Sequence, residues 1–183
     1  TGGMRVDAER AAANLFPALS AQRESSESFD EKLERFRKGT ARTFERMAPL
    51  LAESFGLHAT SSAGRAALDA RAKKGDGAAR TALLSALSGE ELDELRTAFA
   101  QSMRAKEQRK KDRDYLRRYG PYEPLSVTAT RILNRKAGVE WSSFAHTGVD
   151  VPVFAQGAGA ARFAGEYDNT NVAEKILSVL GKR

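Results

Sequence analysis

The chain contains no cysteine. That excludes disulfides, thiol chemistry and cysteine-based metal sites, and it leaves the redox compartment open. Histidine is nearly as scarce: His58 and His146 are the two in 183 residues, so imidazole chemistry has few places to sit. No apolar run approaches the roughly 18 residues of a membrane span. No apolar segment of about 7–15 residues follows a basic start, so Thr1-Gly2-Gly3-Met4-Arg5-Val6 is not read as a signal peptide. The chain does not begin with Met; it reads as one whose natural start lies upstream, and targeting is not legible from it. No internal repeat is visible. The charge excess is modest, +6, and by itself points to no partner.

What is present suits one soluble domain with a core able to fold alone. Three parts differ in character. Residues 1–6 read as a small-residue turn and the start of an extended segment. Residues 7–120 are almost wholly helical in pattern. Residues 121–183 bring β-branched and aromatic residues, glycines and turn signals.

In the helical part, Ser28-Phe29-Asp30-Glu31 reads as a capping box opening a helix to about Lys38, with Gly39 as its stop. Ala41 to Phe55 reads as a helical run ended by Gly56 and divided at Pro49. Residues 61–77 read as a loop with a short helix near Ala66–Ala72. Ser88-Gly89-Glu90-Glu91 is a second capping box, opening a long helix to about Arg113 with Leu92, Leu95, Phe99 and Met103 on one stripe.

In the last part, Pro124–Ala137 reads as a helix with Leu125, Thr128, Ala129, Ile132 and Leu133 on one side, closed by Gly138. Trp141–Phe144 and Val151–Ala155 read as short strands, with Val149, Val151 and Val153 alternating onto one face. Pro152 then requires an edge or a bulge. Residues 168–171 read as a capping cluster before a final helix, Val172–Leu180, striped by Val172, Ile176, Val179 and Leu180. Such an ending fits an α/β class.

Four features carry chemistry. Arg104 to Arg118 holds eight Lys or Arg. This is either a footprint for a polyanion or a solvated helix face with pairs such as Glu107–Lys111. Only Tyr115 and Tyr119 offer stacking surfaces there. Gly157-Ala158-Gly159-Ala160-Ala161-Arg162 begins like a dinucleotide fingerprint, but Arg162 stands where a third small residue is needed, and no helix follows at once. That reading is discarded. His58, just past a helix end, reads as a surface or capping histidine. His146 stands between two apolar runs with a glycine directly after it, which puts an imidazole at the mouth of a strand. A zinc site of the hydrolytic kind takes three protein ligands, and the sequence offers no obvious second and third.

From Tyr122 to Leu180 the chain resembles the C-terminal end of bacterial alkaline phosphatases. The carrying residues are Thr130-Arg131-Ile132-Leu133-Asn134, Lys136-Ala137-Gly138, Trp141-Ser142-Ser143-Phe144, His146-Thr147-Gly148, Val151-Pro152-Val153-Phe154 and Asp168-Asn169-Thr170. Thr1-Gly2-Gly3 fits as the run that follows an Asp-His ligand pair in that family. The resemblance implies an α/β fold in which 1–6 end a core strand, 7–120 form a long, mainly helical insertion, and 121–183 supply the C-terminal part of a sheet with few strands. It implies hydrolysis of phosphate monoesters through a phosphoserine intermediate with two zinc ions and magnesium. His146 is then a ligand of one zinc, and Thr147 a candidate for shaping the turn behind it. Zinc in such a site polarises the ester oxygen and makes bound water acidic. The nucleophile, the magnesium ligands and the other zinc ligands would lie upstream, so the chain alone is expected to be inactive. The resemblance also implies small phosphate esters as substrates, a periplasmic or secreted location and a homodimer as the candidate assembly, with no nucleic-acid partner expected. The competing readings are a basic helical polyanion-binding module, and another hydrolase of the same superfamily, such as a phosphodiesterase or a sulfatase.

Overall fold

The computed structural model describes residues 3–9, 16–109, 111–148 and 150–181. Expectations resting on Thr1, Gly2, Lys110 and Val149 lie outside them. The chain divides after Thr147 into two compact units, taken here one at a time.

The first unit is mainly helical with few strands. Strand β1 (Met4–Val6) is followed by a 3-10 turn over Phe16–Ala21, then by helices α1 (Ser26–Arg37) and α2 (Phe44–Phe55). Next come β2 (His58–Ala59), α3 (Ser62–Lys73), α4 (Gly77–Ser85), β3 (Ala86–Leu87) and α5 (Gly89–Ser102). Helices α6 (Arg113–Tyr119) and α7 (Pro124–Lys136) and strand β4 (Val139–Trp141) complete it. Strand β1 pairs antiparallel with β4, Met4 opposite Trp141 and Val6 opposite Val139. β2 and β3 form a separate parallel pair.

The centre of this unit is α7. Pro124 occupies its first turn, where the missing N–H costs nothing. Leu125, Thr128, Ala129, Ile132 and Leu133 are all buried, as their 3.6-residue spacing predicts. Phe29 and Leu33 of α1, Met47, Leu51 and Phe55 of α2, and Leu95 and Phe99 of α5 close around them. Phe29 and Phe55 meet edge to face with ring centroids 4.9 Å apart. The α5 capping box is formed in full: Glu91 N donates to Ser88 Oγ at 3.1 Å, and Ser88 N donates to Glu91 Oε2 at 2.8 Å.

Several boundaries differ from the sequence reading. Helix α1 starts a turn early because Ser25, not Ser28, is its cap: Ser25 Oγ accepts from Ser28 N at 3.2 Å. Phe29 and Leu33, four residues apart, are both buried on its inward face. Pro49 does not divide α2, which runs unbroken through it. Burial of Met47, Leu51 and Phe55 at four-residue steps offsets a cost of about 3 kcal/mol for an interior proline. Residues 62–73 are a full helix, not a loop with a short helical piece. Ser61 caps it by accepting from Gly64 N at 3.1 Å, and its alanines favour the helix although no residue of it is buried. Helix α5 stops at Ser102, well before Arg113, where the carbonyl of its last residue is taken by two arginine side chains from elsewhere. Arg37 Nε donates to Ser102 O at 2.7 Å, and Arg109 Nη2 donates to the same oxygen at 3.2 Å. The strand expected at Trp141–Phe144 lies earlier, at Val139–Trp141, because Gly138 ends α7 directly into the pairing with β1.

The second unit holds a 3-10 turn, Ala160–Phe163, and helix α8, Asn171–Val179. Residues 151–156 form no strand, contrary to the reading of Val151–Ala155: Pro152 cannot donate to a ladder, and Val151, Val153 and Phe154 are exposed. Asp168 Oδ1 accepts from Thr170 N and Thr170 Oγ1 at 2.9 and 2.8 Å, closing the turn before α8. The expected stripe on this helix is not buried; Ile176 is 46% and Leu180 63% exposed. Lys175 caps the 3-10 turn by donating to Arg162 O at 2.7 Å and lies 4.1 Å from the centre of the Tyr167 ring. Among the described residues, no helix is long and apolar enough to cross a membrane.

Candidate functional site

An open cleft of about 1390 Å³ runs along α7 in the first unit. One wall is α7 itself, through Ser126, Thr130, Arg131 and Arg135. Ser26 and Asp30 of α1 and Arg117, Arg118 and Tyr119 of α6 face it, and the segment after β4, from Trp141 to His146, forms its rim. His146 is exposed there, and Thr147 beside it is half-buried. The cleft is roomier than the few hundred cubic ångströms most small ligands need.

The rim segment is built from short-range bonds. Ser142 N donates to Gly3 O at 3.1 Å, extending the β1–β4 pairing by one step. Ser143 Oγ donates to Ala145 O at 2.9 Å and accepts from Ala145 N at 3.3 Å, tightening the turn before His146. Gly3 has φ +64°, and a Cβ on it would clash with Ser142 Oγ and lie 3.8 Å from Thr147 Oγ1. The backbone at Gly3 therefore lies directly under the segment that carries His146.

Behind the cleft lies a buried charge cluster that the sequence did not reveal. Arg109 grips Glu123 with both guanidinium arms, Nη1 to Oε2 at 3.1 Å and Nη2 to Oε1 at 3.2 Å. Arg37 Nη2 adds a bond to Glu123 Oε1 at 2.6 Å. Asp30 accepts a hydrogen bond from the Ser126 hydroxyl. Burial raises the Asp30 carboxyl above the ordinary aspartate range; the Ser126 bond pulls it back, Glu123 pushes it up further and Arg37 lowers it. No periodic signal marks this cluster, because its members come from α1, the α5–α6 connection and the start of α7.

The basic stretch from Arg104 to Arg118 is not one helix. A 3-10 turn over Lys106–Gln108 and helix α6 replace it, and Glu107 and Lys111 share no helix. Arg109 is buried against Glu123 instead of facing solvent. Tyr115 and Tyr119 are buried with their ring centroids 4.9 Å apart, so neither offers a stacking surface. His58 is half-buried in β2, its Nδ1 lying 3.1 Å from Gly56 O. The glycine segment from 157 leads into the 3-10 turn and forms no phosphate cradle of the dinucleotide kind.

Among the described residues, no three His, Cys, Asp or Glu side chains gather as a metal site would require. His146 by itself does not make a zinc site, and the carboxylates in the cleft do not group around it.

The family model described as Alkaline phosphatase matches residues 57–181. Alkaline phosphatase 3 of Bacillus subtilis (strain 168) is 41% identical over 49 residues, which are 27% of this chain and 11% of that protein. Alkaline phosphatase 4 of the same organism is 40% identical over 55 residues, 30% of this chain and 12% of that protein. The aligned stretches thus span only about a tenth of either relative. No solved structure matches. The family model covers well over half of the chain and takes in α7, the His146 segment and α8; the chain belongs to the alkaline phosphatase family.

Proposed function

We propose that this chain serves metal-dependent hydrolysis of phosphate monoesters through a phosphoserine intermediate, with His146 as a ligand of one of two zinc ions. The observation that carries this reading is the family match across 57–181, which includes a His-Thr-Gly run whose histidine lines an open cleft. A single imidazole binds zinc weakly, so the remaining ligands, those of magnesium included, and the serine nucleophile are assigned to residues other than those described. The closeness of Gly3 to Ser142 and Thr147 is consistent with this, since it sets Gly3 beside the segment that carries His146. In this reading the chain's own residues position the imidazole and line the approach, and Thr147 shapes the turn. Residues 1–6 end a core strand, 7–120 are a helical insertion and 121–183 complete the core. A periplasmic or secreted location and a homodimer belong to the same reading.

The test has two arms. In the full-length protein, His146→Ala should lower zinc content and turnover of a generic phosphomonoester together; unchanged turnover removes His146 from the site. The 183-residue chain alone should neither hydrolyse the ester nor bind zinc tightly in a titration. Stoichiometric tight binding by it sinks the assignment of the other ligands to residues elsewhere.

A further inference from the structure

We propose that Phe144 is a positioning residue for His146: its ring, wedged onto the α6–α7 turn, tethers the segment that carries the imidazole. The inference deepens the assignment of His146 above and rests on it for its functional meaning.

The segment from Ser142 to His146 reads Ser-Ser-Phe-Ala-His, so Phe144 is its one large apolar side chain. Three separate contacts hold that ring. Gly120, with φ +59° and ψ −138°, presents bare backbone beneath it; a Cβ there would meet Phe144 Cγ at 2.7 Å and Cδ2 at 2.8 Å. Only glycine offers both that backbone geometry and that closeness. Tyr122 packs beside the ring with centroids 5.8 Å apart. The Arg131 guanidinium lies 5.1 Å from the ring centroid. Arg131 is itself fixed, because its Nη1 donates to Arg118 O at 3.0 Å and its backbone belongs to the buried helix α7.

The arrangement joins a rim segment to the most firmly packed helix of the unit. Ser143 and Ala145 bond locally and set the shape of the turn, and Ser142 N ties the start of the segment to Gly3. The Phe144 ring attaches the segment to the α6–α7 turn and to Arg131 of α7, and His146 follows two residues later. An aromatic pair and a guanidinium over a ring are each worth about a factor of a few in equilibrium terms. Together they disfavour local opening of an exposed segment.

The experiment measures hydrogen exchange of the Ala145 and His146 amides, together with NMR relaxation of the His146 Cε1–H, in the 183-residue chain without metal. Phe144→Ala should speed exchange at both amides about tenfold and loosen the imidazole, while amides of α7 change little. Phe144→Tyr keeps the ring and should restore both readouts to within about twofold of the parent. Phe144→Leu, which keeps apolar bulk without the ring, serves if the alanine variant does not fold, and should loosen the segment in the same direction. Unchanged exchange at Ala145 and His146 overturns the proposal, as does a loosening spread equally over α7 or one that Phe144→Tyr fails to rescue. No zinc enters these measurements. A failure of the zinc assignment, seen as unchanged zinc content in His146→Ala, is therefore distinguishable from a failure of the positioning role.

Discussion

Replacing Glu123 with leucine should be among the most damaging single changes in the chain. Glu123 accepts from two guanidiniums, Arg109 with a side chain 4% exposed and Arg37 with one 15% exposed, and its own side chain is 6% exposed. The substitution leaves Arg109 buried with only the carbonyls of Ser102 and Arg104 as acceptors. Breaking a buried ion pair from one side costs about 3–5 kcal/mol, because an uncompensated charge stays in the interior. Glu123→Gln keeps an acceptor oxygen and removes the charge, so its cost should be smaller, about 1–3 kcal/mol. The double change Glu123→Leu with Arg109→Met removes the stranded charge and should cost less than Glu123→Leu alone. Urea unfolding followed by far-ultraviolet circular dichroism, with the emission of Trp141 as a second probe, measures all three. A loss below about 1 kcal/mol for Glu123→Leu would refute the reasoning, since that is the range of a solvated surface pair.

Asp30→Asn tests the electrostatics of the cleft wall. Burial raises the folded-state pKa of Asp30, so the folded chain binds its proton more readily than the unfolded one. Stability from this group is greatest at low pH and falls as pH rises from about 4 through the raised folded value. The asparagine variant should lack that fall and gain relative to the parent near neutral pH; an unchanged slope in a pH series of unfolding curves counts against it. Ser88→Ala removes the oxygen that caps α5 and should cost about 1 kcal/mol, read as a lowered urea midpoint. Pro49→Ala lies inside α2 and should stabilise the chain by about 1–3 kcal/mol; a lower midpoint refutes the account given for the unbroken helix. Leu133→Ala, at a position with no exposed surface, should cost about 2–5 kcal/mol.

Much of the fold is legible where local signals and burial agree. The α5 capping box and the inward stripe of α7 appear as their spacing requires. Gly56 ends α2 in the left-handed conformation, with φ 68°, as its place in the sequence suggested. Legibility fails where a long-range partner overrides a local preference. The apolar and charged pattern after Ser102 supports a continuing helix, yet arginines 37 and 109 both take the Ser102 carbonyl and end it early. Pro49 signals a break that buried Met47, Leu51 and Phe55 override. Arg109 looks like one more cation in a basic run until Glu123, fourteen residues on, draws it inside.

The candidate site shows the same division. The residues His146-Thr147-Gly148 and their neighbours were enough to point to the alkaline phosphatase family, because a run of side chains with fixed order survives as a linear signal. The ring of Phe144 on Gly120, and the cleft it borders, join residues more than twenty positions apart, and no periodicity encodes such a meeting. The sequence by itself determined the capping box of α5, the inward face of α7, the left-handed stop at Gly56 and the family to which the chain belongs. The tertiary structure alone decided where α5 stops, that Arg109 is buried, and that the Phe144 ring seats on Gly120. Those outcomes depend on charge pairing and ring packing between distant segments, whose strength exists only once the chain has brought them together.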